Sequence, residues 1–221
     1  MKTYINSMTR FTRILRIGTA LGSAIFAASA MQAQSTAPTA PPAPIPGNSR
    51  DISHQAKEFI QFAAQANQTE LAMADLAEGK SQNSTVKDLA RMMRTDHRQN
   101  YAQVQLIAQN HSLALDTSLN LVNQHAVNRL GKTGDQDFDK EYATLMIKDH
   151  VHAIKRFDKA AQMDEPDVKQ YALSTLPALR KHLQHAEIAA QSVGVDEATI
   201  SSILKGLPSE EAGRGVSFNQ N

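Results

Sequence analysis

The chain has 221 residues, 41% of them hydrophobic, with no cysteine, no tryptophan and a formal charge of +1. That length suits one domain of ordinary size once non-folding segments are set aside. Without cysteine there are no disulfides and no thiolate metal ligands, and bases interleaved with acids among few aromatics leave no nucleic-acid-binding footprint.

Residues 1–33 carry Lys2, Arg10, Arg13 and Arg16 ahead of an apolar run from Ile17 to Ala28 and then small residues. This is the order of a cleaved secretory signal peptide, with Ala30 or Ala33 as the last residue removed. The apolar run is well short of the roughly 20 residues that span a bilayer, and no cysteine follows it to carry a lipid. No stable membrane insertion is expected after cleavage, and the location expected is periplasmic or secreted. No Arg-Arg pair precedes the run, so export should occur unfolded and any metal should be acquired afterwards. Cleavage removes four positive charges and takes the formal charge from +1 to −3, so the basic character of the precursor belongs to its targeting segment.

Residues 34–51 are rich in proline between Pro38 and Pro46, which predicts an extended, disordered linker. From 52 to 194 the chain is poor in proline and glycine and rich in Ala, Leu, Gln, Lys and Glu, which predicts helix throughout. A first helix over about 52–78 carries the stripe Phe59, Phe62/Ala63, Ala66, Met73 and Leu76/Ala77. A second opens near Ser84 or Thr85, where Thr85-Val86-Lys87-Asp88 resembles a capping box, and carries Val86, Leu89/Ala90, Met93, Tyr101, Val104 and Ile107/Ala108. Residues 112–134 form a long connection with a short helix around Leu119, Val122, Ala126 and Leu130. A third long helix opens near Asp135 or Asp137 with Phe138, Tyr142, Leu145/Met146, Ala153, Phe157 and Ala160. A fourth follows Pro166 and runs to Gly194 through Val168, Ala172, Leu176, Leu179, Leu183, Ala186 and Ala190, interrupted by Pro177. Short turns make two antiparallel hairpins joined by one crossover, which predicts an all-α, ferritin-like four-helix bundle. Residues 195–221 read as a flexible C-terminal tail.

One ionisable residue interrupts each apolar stripe. His97 lies four residues after Met93 and seven before Val104; Glu70, His150 and His182 meet the same test in the other helices. All four fall within about four residues of mid-helix, or about 6 Å along the axis. Three imidazoles and a carboxylate at one level match the ligand types of one transition-metal ion, Zn, Fe, Cu or Ni. Asp96, Asp149, His152 and His185 are supporting candidates, Asp149-x-x-His152 having ligand spacing. Two other readings of the same residues stand beside this one: a hydrogen-bonded polar layer that fixes helix register, and a pH-responsive histidine cluster. No glycine-flanked nucleophile turn is present, so hydrolase chemistry is not expected, and no cofactor other than a metal ion is implied.

Phe138-Asp139-x-x-Tyr142, Asp96-His97 after Met92-Met93, the mid-helix His150 and Leu176-Pro177-x-Leu179-x-x-His182 resemble the exported ferritin-like family known only as domain of unknown function 4142. The resemblance covers about 52–194. It implies a ferritin-like bundle in a bacterial envelope protein, with the family pattern falling on Glu70, Asp96, His97, His150 and His182. The Glu-x-x-His pairs of di-iron bundles are absent, which favours a single ion over a di-iron centre. The expected role is that of a soluble envelope protein, binding or stress-related and without catalysis, with metal handling or redox at the Glu/His site as the alternative. An envelope protein or a second copy of the chain is the expected partner.

Overall fold

The computed structural model describes residues 52–207. The expected signal peptide and proline-rich linker, and the end of the expected tail from 208 to 221, lie outside the described residues. Within them the chain forms six helices and no strand: α1 (His54–Lys80), α2 (Ser84–Asn110), α3 (Leu121–Lys132), α4 (Asp135–Ala160), α5 (Pro166–Ser192) and α6 (Glu197–Leu204). None of them is long and apolar enough to cross a membrane.

The four long helices each extend about 40 Å at 1.5 Å per residue. Their starts are set locally. Ser53 caps α1 by accepting from the Ala56 amide, and Asn83 caps α2 by accepting from the amides of Thr85 and Val86. The α2 cap is therefore Asn83, not the Thr85 box that the sequence suggests. Pro166 occupies the first turn of α5, where its missing N–H costs nothing, and α5 continues unbroken through Pro177.

Around the bundle the order is α1, α2, α5, α4, each helix packed against the next. The start of α1 meets the start of α5, where the Ser53 amide donates to Glu165 Oε1 at 2.9 Å, and the end of α2 meets the same place through His111 Nε2 and Asp167 at 2.8 Å. Every neighbouring pair is thus antiparallel, although α2 and α4 run the same way along the chain. That requires the 111–134 connection to climb the full height of the bundle, and it does so along α1. Gln61 donates to the Ala114 carbonyl, Gln68 to Asp116, and Lys80 to the carbonyls of Gly131 and Thr133. Gln65 is the central staple: its Nε2 donates to the Ser118 carbonyl at 2.9 Å while its Oε1 accepts from the Asn120 amide at 2.9 Å.

The core differs along the axis. At the α1-start end, Phe59, Phe157 and Tyr171 form an aromatic cluster with Phe59 edge-on to Phe157 at 4.9 Å. At the other end Phe138 and Tyr142 are fully enclosed, with the Lys80 ammonium over the Phe138 ring. Alanines at 56, 63, 64, 74 and 77 on α1 and at 172, 186, 189 and 190 on α5 are buried. Such small side chains let helix backbones approach closely. Between the aromatic ends lies the polar layer.

The segment after Gly194 departs from the flexible tail expected of 195–221. Gly194 takes φ +75°, closing α5 with the Val195 amide bonded to the Ala190 carbonyl, and the chain turns back into α6. Asp196 caps α6 through the amide and hydroxyl of Thr199, and Ile200 and Leu207 are buried as α6 packs on α4 and α5. Eight residues are too few for periodicity to stand out in sequence, but Asp196-x-x-Thr199 ahead of Ile200, Ile203 and Leu204 is a cap followed by an apolar stripe.

Replacing Gln65 with Leu should leave the Ser118 carbonyl and the Asn120 amide unpaired under a part-buried connection. We expect a loss of about 1–3 kcal/mol in urea unfolding, with amide exchange at Asn120 accelerated well before that of the α1–α2 hairpin.

Candidate metal centre

His97 (α2), His150 (α4) and His182 (α5) are brought together at mid-bundle, and one ring nitrogen of each lies within 4.8 Å of the other two. The ring centroids form a near-regular triangle of 5.2, 5.2 and 5.7 Å. All three are buried, at 6%, 1% and 2% exposure.

Their protons follow from their partners. The carbonyl of Met146 can only accept, so His150 Nδ1, 2.9 Å away, carries a proton and donates to it. Asn67 Nδ2 donates to the Ala63 carbonyl and to Asn100 Oδ1, which fixes the amide orientation and leaves Asn67 Oδ1 to accept from His97 Nδ1 at 2.9 Å. His182 Nε2 donates to Asp96 Oδ2 at 2.9 Å. Each imidazole therefore has one nitrogen tied outward by a hydrogen bond. Burial pushes the His97 ring well below the usual histidine range, with His150 and His182 adding to the effect. His150 is pushed down to about 3, chiefly by burial and then by His182. His182 is lowered as well, because burial outweighs the carboxylate of Asp96. All three rings are thus neutral near pH 7, and their remaining nitrogens are bare lone pairs.

Two of those lone pairs face each other, His150 Nε2 and His182 Nδ1, at 3.2 Å. The third nitrogen, His97 Nε2, is buried and has no hydrogen-bond partner. A cation among them would satisfy all three at once. The donor set fits a transition metal: Zn–N bonds of 2.0–2.1 Å in tetrahedral geometry put neighbouring nitrogens about 3.3 Å apart. The outward bonds to Asn67, Met146 and Asp96 are of the kind that orient metal-binding histidines.

Glu70 shares the level and is buried, but its Oε1 sits 3.9 Å from His150 Nδ1, the edge of the ring that faces Met146 rather than the cluster. It is not among the three converging groups. Burial, and then Asp149, push the Glu70 carboxyl well above the usual range, and its Oε2 has no partner. Asp149 lines a neighbouring cavity and is raised to about 6 by burial. Of the other candidates, Asp96 bonds His182, His152 lies exposed beside Phe62, and His185 is exposed on α5.

Sequence reading missed Asn67 and Asn100. Asn67 lies four residues after Ala63, on the same stripe that singled out Glu70, so the test applied to histidines would have found it. Asn100 ties it further, accepting from Asn67 and from the Tyr171 hydroxyl and donating to Thr175 Oγ1 at 3.1 Å. Their amides bear no charge and so do not stand out as ligands.

An all-helical bundle enclosing three convergent histidines is the class of protein these features define. The chain belongs to the family described as Domain of unknown function (DUF4142), whose pattern matches residues 41–188. Among curated proteins none matches the sequence. Among solved structures, a DUF305 fragment from Deinococcus radiodurans is similar in fold, with a TM-score of 0.56 and 19% identity over 63% of this chain and 97% of that one.

Two measurements test the proton assignment. In metal-free protein at neutral pH, long-range nitrogen–proton spectra should show His97 and His150 as neutral Nδ1–H tautomers and His182 as Nε2–H. For stability, the histidines bind protons near pH 6.5 unfolded and lower when folded, well lower for His97 and His150. Their contribution is complete above 6.5 and is lost as pH falls towards about 3, the folded value for His150. Asp149 acts in the opposite sense, its contribution being complete below the unfolded carboxylate value and lost as pH rises through about 6. Glu70, also raised, has the same sign as Asp149. Glu70→Gln removes one opposing group, so the variant should lose melting temperature more steeply than wild type between about pH 6.5 and 4.5.

Proposed function

We propose that this protein binds one transition-metal ion at mid-bundle through His97 Nε2, His150 Nε2 and His182 Nδ1. The observation that carries the reading is the pair of bare nitrogens facing at 3.2 Å beside a third, buried and unpartnered. Two lone pairs held that close repel unless a positive charge lies among them, and nothing on the outward side of either ring offers to release its proton. Neutral imidazole donors favour Zn, Cu, Ni or Fe over Mg or Ca. Asp96, bonded to His182, would raise the basicity of that ligand, and Asn67 and the Met146 carbonyl would hold the other two rings in place.

The climbing connection between α2 and α4 supports a ferritin-like arrangement, the one-crossover bundle in which helical proteins build metal sites in the core. With three histidines converging and Glu70 set to one side, the donor set supports a single ion rather than a carboxylate-bridged pair. The leader-like sequence of residues 1–33 supports export, so the role in this reading is metal binding or handling in the envelope, with metal acquired after secretion.

The test is to load the purified mature chain separately with Zn, Cu, Ni and Fe(II), desalt it and measure bound metal. Wild type should retain an equimolar amount of at least one ion, and His97→Ala and His182→Ala should retain little while keeping helical circular dichroism. Bound ion should also stabilise the fold, by about 2.7 kcal/mol at a free concentration of 100 times Kd. Retention in both variants would move the site elsewhere, His152 and His185 being next. No retention by wild type of any ion would make the three histidines a structural polar layer.

A further inference from the structure

The three converging rings come from three of the four long helices. Around the bundle the order is α1, α2, α5, α4, so His97 and His150 stand on the helices that flank α1, and His182 stands on the helix diagonal to it. Among the described residues, α1 adds no group to the cluster. Its carboxyl at this level, Glu70, lies against the Nδ1 edge of His150, and its amide, Asn67, accepts from the Nδ1 of His97. The side of the triangle that faces α1 is therefore the side without a protein donor.

A cavity of about 620 Å³ lies on that same side, beneath α3 and between α1 and α4, the least closely packed neighbours in the bundle. His97 and His150 form part of its wall, and His182 does not. Leu179, three residues before His182, also lines it, so the cavity reaches across the core to α5. Its body is apolar, formed by Phe62, Met73, Leu145 and Phe157, with Val122 and Ala126 of α3 in its roof. Its size falls within the range of small-molecule sites.

A four-coordinate ion held by three protein ligands keeps one position for a ligand from outside the chain, which is what separates reactive zinc sites from closed structural ones. Helix order turns that position toward α1, where the cavity meets His97 and His150. We infer that the cavity admits a small molecule to the ion, one with a single neutral nitrogen donor of the azole type on an apolar body. The inference rests on the metal-binding reading above and names the ligand class of that same site. A neutral nitrogen suits the ions that imidazole donors favour. Uncharged, it also enters an apolar wall without the cost of burying a second charge, while its body packs among Phe62, Leu145 and Phe157.

Two probes separate donor from body: 4-phenylimidazole carries both, and imidazole carries the donor alone. The mature chain is loaded with the ion it retains, desalted and analysed for metal. Each probe is then titrated by calorimetry into loaded and metal-free protein, and bound metal is measured again afterwards. One equivalent of 4-phenylimidazole should bind the loaded chain, at least about tenfold tighter than it binds the metal-free chain and about tenfold tighter than imidazole binds, with the ion still in place. Ala66→Phe, which adds a ring to the α1 wall, and Ala126→Trp, which fills the roof from α3, should each keep the ion and helical circular dichroism. Both should weaken 4-phenylimidazole binding by about tenfold or more. A wild-type chain that retains no ion removes the metal-binding reading and this inference together. If the ion is retained, the inference alone is overturned by 4-phenylimidazole that fails to bind, binds equally without metal, binds no tighter than imidazole or strips the ion. Binding unchanged in both filled variants overturns it as well.

Discussion

Two neutral imidazoles have two N–H protons between them, and in this bundle both are committed outward, from His150 to the Met146 carbonyl and from His182 to Asp96. The nitrogens left facing each other at 3.2 Å cannot satisfy one another. A third ring, His97, is turned the same way by Asn67 and adds another bare nitrogen. Burial sustains this shortage of protons, since charging a ring inside the bundle costs more than the neighbouring carboxylate returns. The outward acceptors, as much as the histidines themselves, set which ring nitrogens are left facing the centre.

The rest of the fold is arranged so that such a layer can persist. Aromatic side chains fill both ends of the bundle, and small residues let the helices close around the middle. Each outward acceptor is itself on a long helix: Asn67 on α1, Asp96 on α2 and Met146 on α4. Two of these bonds join different helices, Asn67 to His97 and Asp96 to His182, while Met146 and His150 are four residues apart on α4. The carbonyl of Met146 is the least alterable of the three, because no side-chain substitution removes it. Asn67 is held in turn by Ala63 and Asn100, and Asn100 by Tyr171 and Thr175, so a chain of neutral hydrogen bonds from α1 through α2 to α5 fixes the tautomer of His97.

The connection between α2 and α4 has a second consequence. Because it climbs beside α1 and is held there by glutamine side chains and Lys80, it leaves α3 lying over the gap between α1 and α4 instead of packed into a groove. Only Leu130 of α3 is buried, and Leu121 and Val122 are exposed. The space beneath it is the cavity that Glu70 and Asp149 line. Glu70 meets the Nδ1 edge of His150 rather than the converging nitrogens, and it lines this cavity together with His97 and His150.

Periodicity alone determined a good deal of this protein. Apolar residues at spacings of three and four marked the four long helices, and the same stripes, each interrupted by one ionisable residue, brought out His97, His150 and His182 as buried at one height, because a helix converts sequence spacing into direction and rise. Two kinds of fact lay beyond its reach. Short elements such as α6 have too few turns to establish a period, so their helix depends on the Asp196 cap and on the α4 surface that receives it. And at a given height, periodicity says that a side chain points inward but not which atom meets which neighbour. Glu70 and His150 are alike in the stripe, yet helix rotation and the partners on facing helices set one carboxyl against the wrong edge of a ring and aimed three nitrogens at a common point. Those angles belong to packing between segments up to 86 residues apart, such as His182 and Asp96, and only the tertiary structure decides them.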